Sequence, residues 1–148
     1  MLAAVAKLAA TIALAGALAA CTATVNTADL KVGDCFNYAN TTDANGDPVN
    51  LPSPVECEKP HTDEVFSVVD YPNASTFPGY EQIGAFQQTH CQADFTAYVG
   101  VSWDKSSYTI SYESPTEENW AAGDHAIHCL IEEAIGGQMT GSARGSAR

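Results

Sequence analysis

Hydrophobic and polar positions divide the chain into an apolar leader, a middle with two different periodicities, and an end built from small residues. After Lys7 the run Leu8 to Ala20 carries no charge and no polar stripe beyond Thr11. From Glu64 to Asp70 the residues are β-branched or aromatic, which predicts a strand closed by Tyr71-Pro72-Asn73. Between Glu81 and Tyr98, Ile83, Phe86, Cys91, Phe95 and Tyr98 fall mostly on one face at three- and four-residue steps. That spacing predicts an amphipathic helix, stopped by Gly100. Tyr108, Ile110 and Tyr112 alternate with Thr109 and Ser111, the period of a half-buried strand. A last strand, His125 to Glu132, would present Ile127, Cys129 and Ile131 on one face and Ala126, His128 and Leu130 on the other. Signals elsewhere are weaker. Leu30–Phe36 and Val55–Cys57 are short extended segments, residues 39–54 are rich in Asn, Asp, Gly and Pro and predict a loop, and Pro115–Ala122 predicts a turn or one helical turn. The elements add up to an α+β domain: a small antiparallel sheet of four to five strands with one principal helix packed on it.

The leader changes the picture of where the chain works. One basic residue followed by an apolar stretch of this length has the form of a secretory signal, short for a membrane span. It ends Leu18-Ala19-Ala20-Cys21, which fits a bacterial lipobox with Cys21 as the lipidated residue. A thiol there would accept a diacylglyceryl group, and acyl chains of palmitate type would hold the protein in the cytoplasmic membrane, facing outward. An ordinary signal peptide cut after Ala20 is the alternative. The expected organisation is a signal peptide over 1–20, a lipidated tether over 21–29, one domain over 30–135, and a flexible Gly/Ser/Ala/Arg tail over 136–148.

Composition narrows the partners. Six Lys and Arg face 18 Asp and Glu, a net charge of -12. Nucleic acid and anionic headgroups are poor partners for such a surface, whereas cationic ligands are weakly favoured. With Cys21 assigned to lipid, Cys35, Cys57, Cys91 and Cys129 remain, an even set that reads as a disulfide framework in an exported domain. Cys91 and Cys129 lie on the apolar faces of a helix and a strand, so their pairing is the natural staple. Cys35 and Cys57 are then left to each other. A thioredoxin-type C-x-x-C does not occur.

Val32-Gly33-Asp34-Cys35-Phe36, then Val55-x-Cys57-x-x-Pro60-His61-x-x-Glu64-Val65-Phe66, resembles the opening of the septum formation domain of actinobacterial envelope proteins. Cys91 with Phe95-x-x-Tyr98-Val99-Gly100, then Pro115, Trp120-x-x-Gly123-Asp124, Cys129 and Thr140-Gly141-Ser142 continue the likeness collinearly. His125 departs from it, standing where a basic residue, often Arg, follows Gly-Asp. The resemblance implies a lipoprotein or membrane-anchored ectodomain and carries over no catalytic residue.

Candidate chemistry in the chain is sparse. Neither a G-x-S-x-G elbow in a structured context nor a C-x-x-C metal pair occurs, so no catalytic residue, metal ligand or cofactor is assigned. His125 and His128 are three apart, opposite faces of a strand and unsuited to a shared metal. His61 beside Cys57, and His90 beside Cys91, leave a His, Cys and carboxylate site conceivable. Asp43-Ala44-Asn45-Gly46-Asp47-Pro48 starts like a calcium loop, but Pro54 stands where the bidentate Glu belongs, so an Asx turn is expected. His61, Trp120 and Asp124 are the candidate interaction residues; Trp103, Trp120, Tyr108 and Tyr112 are expected mainly to fill the core, with Trp120 the best candidate among them for an exposed ring. The functional expectation is a non-enzymatic lipoprotein whose domain binds an envelope protein or cell-wall component, with a small cell-wall hydrolase or its regulator, or a metal- or solute-binding lipoprotein, as alternatives.

Overall fold

The computed structural model describes residues 23–72 and 75–148. The leader and Cys21 lie outside the described residues. Strands β1 (Cys35–Thr42), β2 (Pro48–Val55) and β3 (Asp63–Asp70) precede helix α1 (Tyr80–Val99); β4 (Tyr108–Glu113), the short helix α2 (Glu117–Ala121) and β5 (Ala126–Glu133) follow. The strands form one antiparallel sheet in the order β2-β1-β3-β5-β4. This is the expected α+β class, with the helix laid across one face.

The first hairpin departs from the expectation. Residues 39–54 are not a loop: β1 and β2 pair along their whole length, from Cys35 with Val55 to Thr42 with Pro48. Turn chemistry is confined to 43–47, where the Asp43 carboxylate accepts from the backbone N–H of Asn45 and Asp47. Those bonds, the Asp47 one first, hold the Asp43 carboxyl below its ordinary value. The prolines misled the sequence reading. Pro48, Pro52 and Pro54 share one parity on an edge strand, so their missing N–H groups all belong to the outer side. Pro52 shows that side directly, because its carbonyl accepts from Val25 N at 2.9 Å.

Strand alternation then builds two faces. Cys35, Glu64, Phe66, Cys129 and Ile131 face α1, where Phe66, Phe95, Tyr98, Val99, Tyr108 and Ile131 pack together. The other face carries Phe36, Val65 and Leu130, covered by Leu30. Residues 23–30 therefore lie along the domain and are not a free tether; Ser53 Oγ also donates to the Ala23 carbonyl at 3.2 Å. Cys91–Cys129 joins α1 to β5 and Cys35–Cys57 ties β1 to the segment after β2, as the sequence pairs them. Loops of these lengths give roughly 3–4 kcal/mol each in the chain-entropy picture. Gly100 ends α1 at φ 93°, its N–H bonded to the Thr96 carbonyl, a conformation that a side chain would strain.

The end of the chain overturns a second expectation. Residues 139–148 pack on the domain and do not form a flexible tail. Met139 exchanges two backbone hydrogen bonds with His61, at 2.7 and 3.0 Å. Gly145 N reaches the Tyr98 carbonyl and Ala147 N the Val99 carbonyl. Met139 and Ala143 are buried, and Arg148 pairs with Glu133 at 2.9 Å. Small residues here permit close approach of backbone to backbone, which composition alone cannot distinguish from disorder.

Candidate functional site

Two adjacent carboxylates at the start of β3 point to opposite faces of the sheet, and each organises a different neighbourhood. Glu64 faces α1. It is 0% exposed and accepts three hydrogen bonds: from Tyr98 Oη (2.6 Å), Ser142 Oγ (2.5 Å) and Ala143 N (2.6 Å). Burial and the Glu64 hydrogen bond push the Tyr98 phenol well above its ordinary range, and Arg144 lies over the Tyr98 ring at 4.3 Å. This is the bond set that draws the chain end onto the sheet.

Beside it sits His61, also 0% exposed. Its Nδ1 is 2.8 Å from the Lys59 carbonyl and donates there, so that in the neutral ring Nε2 carries the lone pair, and Nε2 has no hydrogen-bond partner among the described residues. Ligand atoms of Cys35, His61 and Glu64 all lie within 4.8 Å of one another. Cys35 is engaged in its disulfide, so this group is a folded-in cluster and not an open three-ligand site.

Asp63 faces the other way, onto the helix-free face. The register aligns it with Phe36 on β1, and the same alternation puts Glu132 of β5 and Glu113 of β4 on that face. Asp63 is 3% exposed and takes a 2.5 Å hydrogen bond from Thr62 Oγ1. Burial, opposed by the Thr62 bond and reinforced by Glu132 and Glu113, pushes its carboxyl up to about 6. Tyr38 on β1 donates its hydroxyl to Glu113; burial and that carboxylate raise the phenol far above its ordinary range. Over these groups opens a cleft of about 450 Å³ lined by Asn37, Tyr38, Thr62, Asp63, Glu132 and Glu133, with no Lys or Arg in its wall. Chemically it offers a cation acceptors on rigid strands and an aromatic ring edge.

The residues singled out in the sequence are scattered. His61 is sealed beneath the chain end and has no surface to offer. Trp120 is only 4% exposed: it packs with Ile83 and Ile127, and His125 stacks on it at 4.2 Å. Trp120, the best candidate for an exposed ring, is therefore core, as expected for the aromatics as a group, wedged among Tyr71 and Phe77. Asp124 is half-buried and caps Ala126 N at 3.1 Å. His128, on the helix-free face, is buried with Nε2 against the Leu30 carbonyl at 3.2 Å; burial lowers its pKa despite that bond. Missed altogether were Tyr38, Asp63, Glu113 and Glu132. Acidic residues are plentiful in this chain, and only the sheet register brings these four to one face.

The sequence profile of the septum formation family matches residues 17–148. With that match over nearly the whole chain, the protein belongs to the septum formation family. Among curated proteins it is similar to "Putative lipoprotein LppN" of Mycobacterium tuberculosis, 29% identical over 119 residues that cover 78% of this chain and 63% of the relative. The same values hold for the protein of that name in Mycobacterium bovis. The chain thus spans less than two thirds of the length of these curated relatives. No solved structure matches.

Proposed function

We propose that this protein is an envelope lipoprotein, anchored by acyl chains on Cys21 to the outer face of the cytoplasmic membrane, that acts by binding and not by catalysis. Support for the anchor comes from the lipobox-like Leu18-Ala19-Ala20-Cys21 and from the name of the mycobacterial relatives. Ala23, the first residue held by the domain, is two positions after Cys21, a span of at most ~7 Å. A lipid on Cys21 would therefore hold the β2 edge close to the headgroups.

The observation that carries the binding role is the acidic cleft over Tyr38, Asp63 and Glu132. Rigid strands present it, Arg148 engages Glu133 at its rim but leaves Asp63 and Glu132 without a cationic partner among the described residues, and its chemistry suits a basic segment of an envelope protein or a cationic cell-wall group. One feature favours a hydrolase instead: a carboxyl near 6 beside a second carboxylate is the pattern of an acid–base pair. Asp63, however, is buried and committed to Thr62, which favours the binding role.

Two comparisons test this proposal. In detergent phase partition the wild type should enter the detergent phase and Cys21→Ala the aqueous phase; equal partitioning would refute the anchor. Asp63→Asn/Glu132→Gln, assayed against an oligolysine probe by calorimetry, should lose the heat that the wild type gives at low salt. Unchanged heat would remove the cleft from the account.

A further inference from the structure

The Cys35, His61 and Glu64 cluster serves neither the anchor nor the cleft, and one of its atoms has no role in the fold. A buried ring nitrogen without a partner is unfavourable, yet His61 Nε2 is held in that state by the Nδ1 bond to Lys59 O. A histidine whose far nitrogen donates to a backbone carbonyl, leaving a fixed lone pair, is the arrangement found behind metal-ligating imidazoles. Its two neighbours within 4.8 Å are a carboxylate already oriented by three donors and the sulfur of Cys35. Only the Cys35–Cys57 bond keeps that sulfur from acting as a thiolate ligand.

We propose that the Cys35–Cys57 disulfide gates a site for a zinc-class divalent cation, with Cys35 Sγ, His61 Nε2 and Glu64 as ligands. Sulfur, imidazole and carboxylate together suit a borderline-soft ion, and three protein ligands with a fourth open position is a familiar zinc geometry. Around a tetrahedral zinc, sulfur, nitrogen and oxygen ligand atoms lie roughly 3.3–3.6 Å apart, so the cluster need close by at most about 1.5 Å once Sγ is free to turn.

The disulfide itself is reached from a cleft of about 500 Å³ whose lining includes Cys35, Cys57, Asp34 and Glu56. Cys57 is half-buried while Cys35 is fully buried, so a reductant meets Cys57 first. A thiolate of an external dithiol attacks Cys57 Sγ. The Cys35–Cys57 bond breaks and its electron pair stays on Cys35 Sγ. The second thiol of the dithiol then displaces Cys57, which leaves as a thiol, and the reductant ends as its own disulfide. Two electrons and two protons pass to the cysteine pair, and the cation displaces the proton from Cys35. The Cys91–Cys129 bond, with both residues fully buried, stays intact and keeps α1 on the sheet.

Cobalt(II) is the probe, because a cysteine ligand gives a thiolate-to-metal charge-transfer band. Two variants of the full chain lose the same disulfide: Cys57→Ser keeps the proposed ligand and Cys35→Ser removes it. Cys57→Ser should bind one cobalt with that band and without reductant; Cys35→Ser and the oxidised wild type should show none. His61→Gln placed on Cys57→Ser should weaken binding by at least about tenfold. If Cys57→Ser is unfolded by circular dichroism, cobalt that restores the fold supports the site, and cobalt that leaves it unfolded overturns it. The wild type, reduced by a dithiol and desalted without air, provides the second measurement and should acquire the same band. A band of equal strength in both cysteine variants, or in neither, overturns the proposal.

Discussion

Asp63 and Glu64 are neighbours in sequence, equally removed from water, and chemically almost the same, yet the sheet gives them different work. Glu64 is answered by a phenol, a hydroxyl and a backbone N–H, two of them contributed by residues 142–143. Asp63 has one hydroxyl donor and further carboxylates facing it. Burial of a carboxylate is tolerable when donors surround it and strained when like charges do. One side of β3 is therefore a lock for the chain end. The other stores unsatisfied negative charge at a cleft, the form that a recognition surface for cations takes.

The largest effect should come from breaking the lock. Glu64→Gln keeps the shape but turns an amide toward donors that a carboxylate had accepted. A loss of roughly 2–4 kcal/mol in denaturant unfolding is expected. Tryptic cleavage after Arg144 should also accelerate, because the last residues lose their anchor. An unchanged unfolding midpoint would show that the chain end is held without Glu64.

Asp63→Asn should act in the opposite sense, and with pH. The folded-state pKa of Asp63, about 6, lies above its ordinary value near 3.8. Its contribution to stability is thus fully present below about pH 4 and is lost as pH rises through 6. Asp63→Asn removes that slope and should gain on the wild type between pH 4 and 8, by on the order of 1–3 kcal/mol. His128 runs the other way: its depressed pKa gives stability present above its unfolded value and lost as pH falls through the folded one. Taking wild type minus Asp63→Asn at each pH cancels the His128 part. A difference that does not change with pH would contradict the strained side of the comparison.

Tyr38→Phe should have the smallest effect, a loss of about 0.5–1.5 kcal/mol from the missing hydrogen bond to Glu113. It sharpens the comparison because it takes a donor away from Glu113 on the helix-free face while the Glu64 side is untouched.

Much of the fold was legible before the coordinates, and the failures have physical causes. The α1 periodicity, the alternation of β4 and β5 and both disulfides follow from which residues must share an apolar face. Pro48, Pro52 and Pro54 hid β2 because proline excludes a central strand but not an edge whose outer N–H groups are dispensable. The segment 139–148 reads as a linker by composition; its order comes from backbone bonds to His61, Tyr98 and Val99 and from the Glu64 carboxylate, partners set by tertiary structure. Thr140-Gly141-Ser142 did carry a signal, through the family resemblance. Trp120 fills the core, the favoured reading for the aromatics, but as an interaction residue it has no exposed ring, because a tryptophan next to a turn can as readily close the core as open to solvent. The cleft was the least legible feature: Glu132 is one of many acids, and only its register across β3 and β5 sets it beside Asp63.

We propose that the helix-free face recognises a basic envelope partner, and capture from solubilised envelope membranes is the direct test. Lipidated wild type and Asp63→Asn/Glu132→Gln, matched for folding, would serve as bait at low and high salt. A partner should be held by the wild type at low salt, released as ions screen the cleft, and retained at least about tenfold less by the double variant. Equal retention by both baits, with no dependence on salt, would contradict it.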